Sequence, residues 1–171
     1  MPSCLCVYMK TMILKVCGMG DTVRMHQLAT MPVDMLGFIF YLKSPRYVVG
    51  KIDPVEIAKL PQQIERVGVF VNAEIAEIAE MAESYFLTAI QLHGSELPEL
   101  CRELKDEGYK VLKAFNINKK NDYEAYAPFC DYFLFDTPSP QHGGTGQKFD
   151  WALLEHYNGS TPFLLSGGIG P

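Results

Sequence analysis

Short apolar runs rich in β-branched and aromatic residues recur along the chain, separated by polar, helix-forming stretches. Seven runs have strand character, near 13–17, 34–40, 65–71, 88–93, 110–115, 131–136 and 162–166. Six stretches between them have helix character, near 21–30, 54–60, 74–84, 96–107, 120–127 and 150–157. In the third of these, Ile75, Ile78, Ala79 and Ala82 fall on one face. Ser95 is placed to cap the next helix, with Pro98 in its first turn and Gly108 at its end. Pro54 and Asp150 mark two further helix starts.

Strict β-then-α alternation predicts parallel strands joined by right-handed crossovers. Two architectures satisfy it: an open doubly wound sheet and a closed (β/α) barrel. No Gly-x-Gly-x-x-Gly follows the first strand, which weighs against dinucleotide binding. The last residues, Leu165-Ser166-Gly167-Gly168-Ile169-Gly170-Pro171, lie just past the seventh strand. An eight-stranded barrel closes only with one more helix–strand–helix stretch. Either the sheet is open, or residues 13–171 form a barrel domain that lacks its eighth βα unit. A non-core N-terminal extension over 1–12, with three methionines and no signal-peptide pattern, precedes it.

Composition narrows the function classes. A length of 171 residues suits one domain, and 48% hydrophobic content suits a real core. The net charge of −5 gives no electrostatic case for nucleic acid. No apolar run approaches the ~20 residues that span a bilayer. The five cysteines are scattered without a C-x-x-C pair, and the four histidines lack ligand spacing. We expect no metal, no cofactor, no membrane association and a reducing cytoplasmic setting.

Chemistry enters at the strand ends. Cys17 closes Ile13-Leu14-Lys15-Val16-Cys17-Gly18, and Asp136 closes Tyr132-Phe133-Leu134-Phe135-Asp136-Thr137. Strand C-termini of parallel α/β folds gather on the face where these enzymes act. A thiol and a carboxyl there suggest cofactor-free proton transfer. The competing reading of Cys17 is a small buried hydrophobe. Arg46 follows the second strand in Ser44-Pro45-Arg46, where a solvated arginine is the plain alternative. Gln91 and His93 lie two apart at the end of the fourth strand and so share a face; a hydrogen-bonded core histidine is the alternative. Lys15 shares the face of Cys17. An ammonium beside a thiol favours its thiolate form, whereas a structural lysine would instead pair with an inward acid. Gly143-Gly144-Thr145-Gly146 and Ser166-Gly167-Gly168 permit close backbone approach to a ligand, or are simple turns.

In this order the pieces resemble the phosphoribosylanthranilate isomerases of tryptophan biosynthesis. The resemblance runs from about Ile13 to Pro171. It rests on Lys15-Val16-Cys17-Gly18, Gly37-Phe38-Ile39-Phe40 with Ser44-Pro45-Arg46-Tyr47, Val67-Gly68-Val69-Phe70-Val71-Asn72, Gln91-Leu92-His93-Gly94, Phe135-Asp136-Thr137, Gly143-Gly144-Thr145-Gly146 with Phe149-Asp150-Trp151, and Leu165-Ser166-Gly167-Gly168. The resemblance implies a TIM-type (β/α)8 barrel, here ending after the seventh strand. It implies an Amadori rearrangement of N-(5-phosphoribosyl)anthranilate, a phosphosugar substrate. It makes Cys17 the general base and Asp136 the general acid. Arg46 meets the anthranilate carboxylate. Gln91, His93, Gly143 and Gly144 are further substrate contacts, and Gly167 and Gly168 are half of a phosphate site. Association with another tryptophan-pathway enzyme is compatible with the sequence. Two other readings stay open: another phosphosugar isomerase or epimerase, and a non-catalytic barrel fragment.

Overall fold

Parallel pairing of neighbours in sequence order organises the chain. In this computed structural model the described residues are 12–116, 122–136, 154 and 157–167. The strands are β1 (Lys15–Cys17), β2 (Met35–Ile39), β3 (Glu65–Phe70), β4 (Ala89–Leu92), β5 (Lys110–Asn116), β6 (Tyr132–Asp136) and β7 (Phe163–Ser166). The helices are α1 (Thr22–Ala29), α2 (Pro54–Ala58), α3 (Ile75–Ser84), α4 (Pro98–Asp106) and α5 (Tyr123–Tyr126), the last running into a 3-10 turn at Ala127–Phe129. The seven strands form one sheet in the order β1 to β7, every pair parallel. A doubly wound sheet would reverse its order partway; this one does not, and it has the order of a barrel curled as a half-barrel. The helix expected near 150–157 lies mostly outside the described residues.

Local chemistry explains the helix starts. The Asp21 carboxylate accepts from Arg24 N at 2.8 Å and caps α1. Asp53 accepts from Val55 N at 2.9 Å and caps α2, with Pro54 in the first turn. Ser95 does not cap α4. The helix begins later, after Leu97, and Ser95 instead donates its N–H to Asn72 Oδ1 at 2.7 Å. Pro98 has no N–H to satisfy, so α4 tolerates a start without a side-chain cap.

Period-2 alternation sorts the strand residues between two cores. Leu36, Phe38, Phe70, Ile90, Leu92, Val111, Phe133 and Phe135 face the helices and meet Met25, Ile57, Ile78 and Leu104 there. Met35, Val67, Ala89, Leu112, Ala114, Leu134 and Leu164 form the interior cluster.

Two ion pairs fix the framework. Lys113 on β5 points to the helix side, where its Nζ meets Glu96 Oε2 at 3.0 Å and Gly94 O at 2.9 Å. Both side chains are almost fully buried, at 3% and 2% exposure. Glu96 Oε1 accepts from Asn72 N at 2.8 Å and Gly94 N at 3.0 Å, so the pair ties the β3–α3 and β4–α4 connections to β5. At the other end of the interior, Glu65 pairs with Lys110 and accepts from Thr88 Oγ1 at 2.7 Å.

Removing one partner of a buried pair strands the other charge. Lys113→Met should lower unfolding free energy by about 3–5 kcal/mol. In a urea double-mutant cycle, adding Glu96→Gln should recover part of that loss; additive losses would show that the two side chains act independently. A second expectation concerns pH. Burial pushes the Glu65 carboxyl up, but its bonds to Lys110 and Thr88 and the charge of Lys110 outweigh that and hold it below the ordinary glutamate value. Its contribution is therefore complete above the unfolded value of about 4.3 and is lost as pH falls through the lower folded value. Glu65→Gln should flatten the acid side of the stability-versus-pH curve between those values; an unchanged acid side would contradict the pairing.

Candidate active site

The site is built where the strands end. Cys17 is the last residue of β1 and is exposed, so the reading of a buried small hydrophobe does not hold. The chain turns immediately after it: Gly18 has φ +88°, and the N–H groups of Gly18 and Met19 both donate to Gly37 O, at 2.9 and 3.0 Å. Gly37 pairs with Cys17 in register. A Cβ on Gly37 would lie 2.7 Å from Cys17 Sγ and 3.1 Å from Lys15 Nζ. The missing side chain at Gly37 is thus the space in which thiol and ammonium sit together. The inward acid Glu65, by contrast, pairs with Lys110.

Arg46 joins this group from the loop after β2. A Cβ on Gly18 would lie 2.8 Å from Arg46 Cδ and 3.0 Å from Nη1, which places the arginine over the turn that follows Cys17. Its loop is held locally: Arg46 N donates to Ser44 Oγ at 3.2 Å, and Lys51 Nζ donates to Pro45 O at 2.6 Å.

The second group lies on β4 to β7. Register sets Asn116, Asp136 and Ser166 in one row. Gln91 Nε2 lies 2.8 Å from His93 Nδ1, as expected for two residues sharing a face, and His93 Nε2 lies 3.4 Å from Asp136 Oδ2. Burial pushes the Asp136 carboxyl up, yet its side-chain contacts with His93 and Ser166 outweigh it, and the net direction is below the ordinary aspartate value. Asp136 and His93 each keep about a third of their side-chain surface exposed, at 33% and 35%.

Lys15, Cys17 and Arg46 therefore cluster on the β1–β2 flank, and Gln91, His93 and Asp136 on the β4–β7 flank. Both clusters belong to the C-terminal ends of one parallel sheet. Gly167 follows Ser166 at φ +81°; Gly143, Gly144 and Gly168 lie outside the described residues. The sequence did not single out Asn116 as a site residue, and it offered Ser166 only as part of the Ser166-Gly167-Gly168 motif, not as a neighbour of Asp136. Alternation gave the available signal, since each ends its strand on the face of Asp136.

Among the described residues no group of three or more His, Cys, Asp or Glu could hold a metal, and no helix is long and apolar enough to cross a membrane. A cavity of about 320 Å³ lined by Tyr123, Phe133, Tyr157 and their neighbours belongs to the helix side of β6, not to the face of Cys17 and Asp136.

Comparison with known proteins bears on this arrangement. The family model described as "PRAI: N-(5'phosphoribosyl)anthranilate (PRA) isomerase" matches residues 14–171. The N-(5'-phosphoribosyl)anthranilate isomerase of Parabacteroides distasonis is 46% identical over 165 residues, covering 94% of this chain and 74% of that protein. The crystal structure of phosphoribosyl anthranilate isomerase from Thermotoga maritima superposes with a TM-score of 0.80 at 36% identity, covering 92% of this chain and 78% of that one. A phosphoribosyl anthranilate isomerase solved in complex with reduced 1-(o-carboxyphenylamino)-1-deoxyribulose 5-phosphate gives 0.71 at 33% identity, covering 92% and 77%. With this match across nearly the whole chain, and with the thiol and the carboxyl ending parallel strands of a barrel-ordered sheet, the chain belongs to the N-(5'-phosphoribosyl)anthranilate isomerase family.

Proposed function

We propose that this chain isomerises N-(5-phosphoribosyl)anthranilate to 1-(2-carboxyphenylamino)-1-deoxyribulose 5-phosphate, a step of tryptophan biosynthesis. The observation that carries this reading is the placement of Cys17 and Asp136 at the C-terminal ends of β1 and β6 within one parallel sheet.

The reaction needs two proton transfers. Asp136 gives a proton to the furanose ring oxygen. The C1–O bond breaks with its electrons on that oxygen, and the anthranilate nitrogen lone pair forms the C=N bond. The resulting iminium acidifies the proton on C2. The Cys17 thiolate takes that proton, and the released pair forms the C1=C2 bond of an enolamine as the C=N pair returns to the anthranilate nitrogen. Protonation at C1 and loss of the C2 hydroxyl proton then give the ketone. No electron leaves or enters, so acid and base suffice.

Asp136 rests as a carboxylate by the direction of its shift. The bound substrate carries a carboxylate and a phosphate and displaces water. Both effects favour the protonated acid. Arg46 offers a planar fork to the anthranilate carboxylate from its place over the turn after Cys17. The backbone at Gly167, with Gly168, Gly143 and Gly144, is assigned to the phosphate and sugar. A free thiol at the site calls for reducing surroundings, and we place the enzyme in the cytoplasm.

Cys17→Ser and Asp136→Asn should each lower kcat by about 10²–10⁴-fold while leaving the thermal melt in place. Near-normal turnover in either variant would remove that residue from its role. Arg46→Lys keeps the charge but loses the fork, so KM should rise with kcat less affected; an unchanged KM would return Arg46 to a solvated loop residue.

A further inference from the structure

Gln91 is only 2% exposed, yet its Oε1 has no hydrogen-bond partner among the described residues. Its other polar atom, Nε2, lies 2.8 Å from His93 Nδ1. An amide N–H can only donate, so Nδ1 accepts and the proton of the neutral ring sits on Nε2. That nitrogen is the one 3.4 Å from Asp136 Oδ2. Turning the amide over would set two acceptors against each other unless the ring proton moved to Nδ1. Nε2 would then present a lone pair to the Asp136 carboxylate. Amide orientation, ring tautomer and carboxyl charge are therefore linked.

We propose that Gln91 and His93 are positioning residues for Asp136: the buried amide keeps the ring proton on Nε2, the nitrogen that lies 3.4 Å from the carboxyl. The proposal rests on the reading of Asp136 as the general acid. When Asp136 releases its proton to the ring oxygen, the carboxylate it becomes meets a donor already in place, which makes Asp136 the stronger acid. Among the described residues, the other groups near this carboxyl are Asn116 on β5 and Ser166 on β7, both uncharged. Lys113 on β5 is turned to the helix side and held by Glu96. Lys15, Cys17 and Arg46 belong to the β1–β2 flank.

The test is nuclear magnetic resonance of the full chain, independent of turnover. With ¹⁵N-labelled histidine, neutral His93 should show a protonated Nε2 and an unprotonated Nδ1. A neutral ring protonated at Nδ1 would overturn the proposal. The Asp136 carboxyl should then be titrated by ¹³C shift in wild type, His93→Gln and Gln91→Met. The midpoint should rise in both variants. A midpoint that stays put in folded His93→Gln would show that His93 does not hold the carboxyl; one that rises only in His93→Gln would remove Gln91. If Gln91→Met fails to fold, Gln91→Glu serves in its place: an acceptor opposite Nδ1 should bring a proton onto that nitrogen, and an unprotonated Nδ1 there would count against the linkage. Isomerase assays on the same samples separate the two levels. Shifted midpoints without turnover in wild type uphold the positioning and sink the functional reading. Turnover in wild type with unshifted midpoints does the reverse. Where turnover is present, the limb of the kcat profile that follows Asp136 should move upward with its midpoint.

Discussion

Parallel strands hydrogen-bonded in sequence order leave little choice about where strand-end side chains go. Each strand delivers its last inward residue to the same end of the sheet, and register decides what lies beside it. Cys17 stands opposite Gly37, and Asp136 stands between Asn116 and Ser166. The chemistry follows from this placement. A thiol with room beside it, next to an ammonium, occupies one flank. A carboxyl in a row of hydrogen-bonding residues, met by a histidine, occupies the other.

The ladder alone would not hold the loops that carry the remaining groups. Lys113 and Glu96 do this from the helix side, where almost no water reaches them. Their bonds to Gly94 and Asn72 clamp the connections that follow β3 and β4. His93 sits directly before that clamp, so a buried charge pair on one side of the sheet steadies a polar group on the other. A buried pair adds little net stability over apolar packing, but breaking it is costly. That asymmetry suits a feature whose effect is to fix one loop geometry. Arg46 has a local counterpart, with Ser44 and Lys51 shaping its loop around Pro45.

Much of this was legible in the sequence, for identifiable reasons. The strands fell where expected because buried parallel strands read as unbroken apolar runs, as Met35-Leu36-Gly37-Phe38-Ile39 does. Alternation placed Gln91 with His93 and Lys15 with Cys17. Other features depended on contacts distant in sequence. Ser95 looked like a helix cap until Asn72, far away along the chain, took its N–H. The inward acid Glu65 chose Lys110, a partner set by the offset of β3 and β5 rather than by local spacing. Asn116 was invisible as a site residue, and Ser166 stood out only as part of a glycine motif, because the row both share with Asp136 appears only in the register of the folded sheet.

The central claim is that the end of this sheet converts an aminoribofuranose into an open-chain ketose by proton transfer. The direct measurement follows N-(5-phosphoribosyl)anthranilate, carbon-13 labelled at C1 and C2 of the sugar, with the full chain in deuterium oxide. The account predicts that the anomeric signal disappears, a C2 ketone signal replaces it, and C1 gains solvent deuterium. An anomeric signal that persists at the rate seen without protein would contradict it.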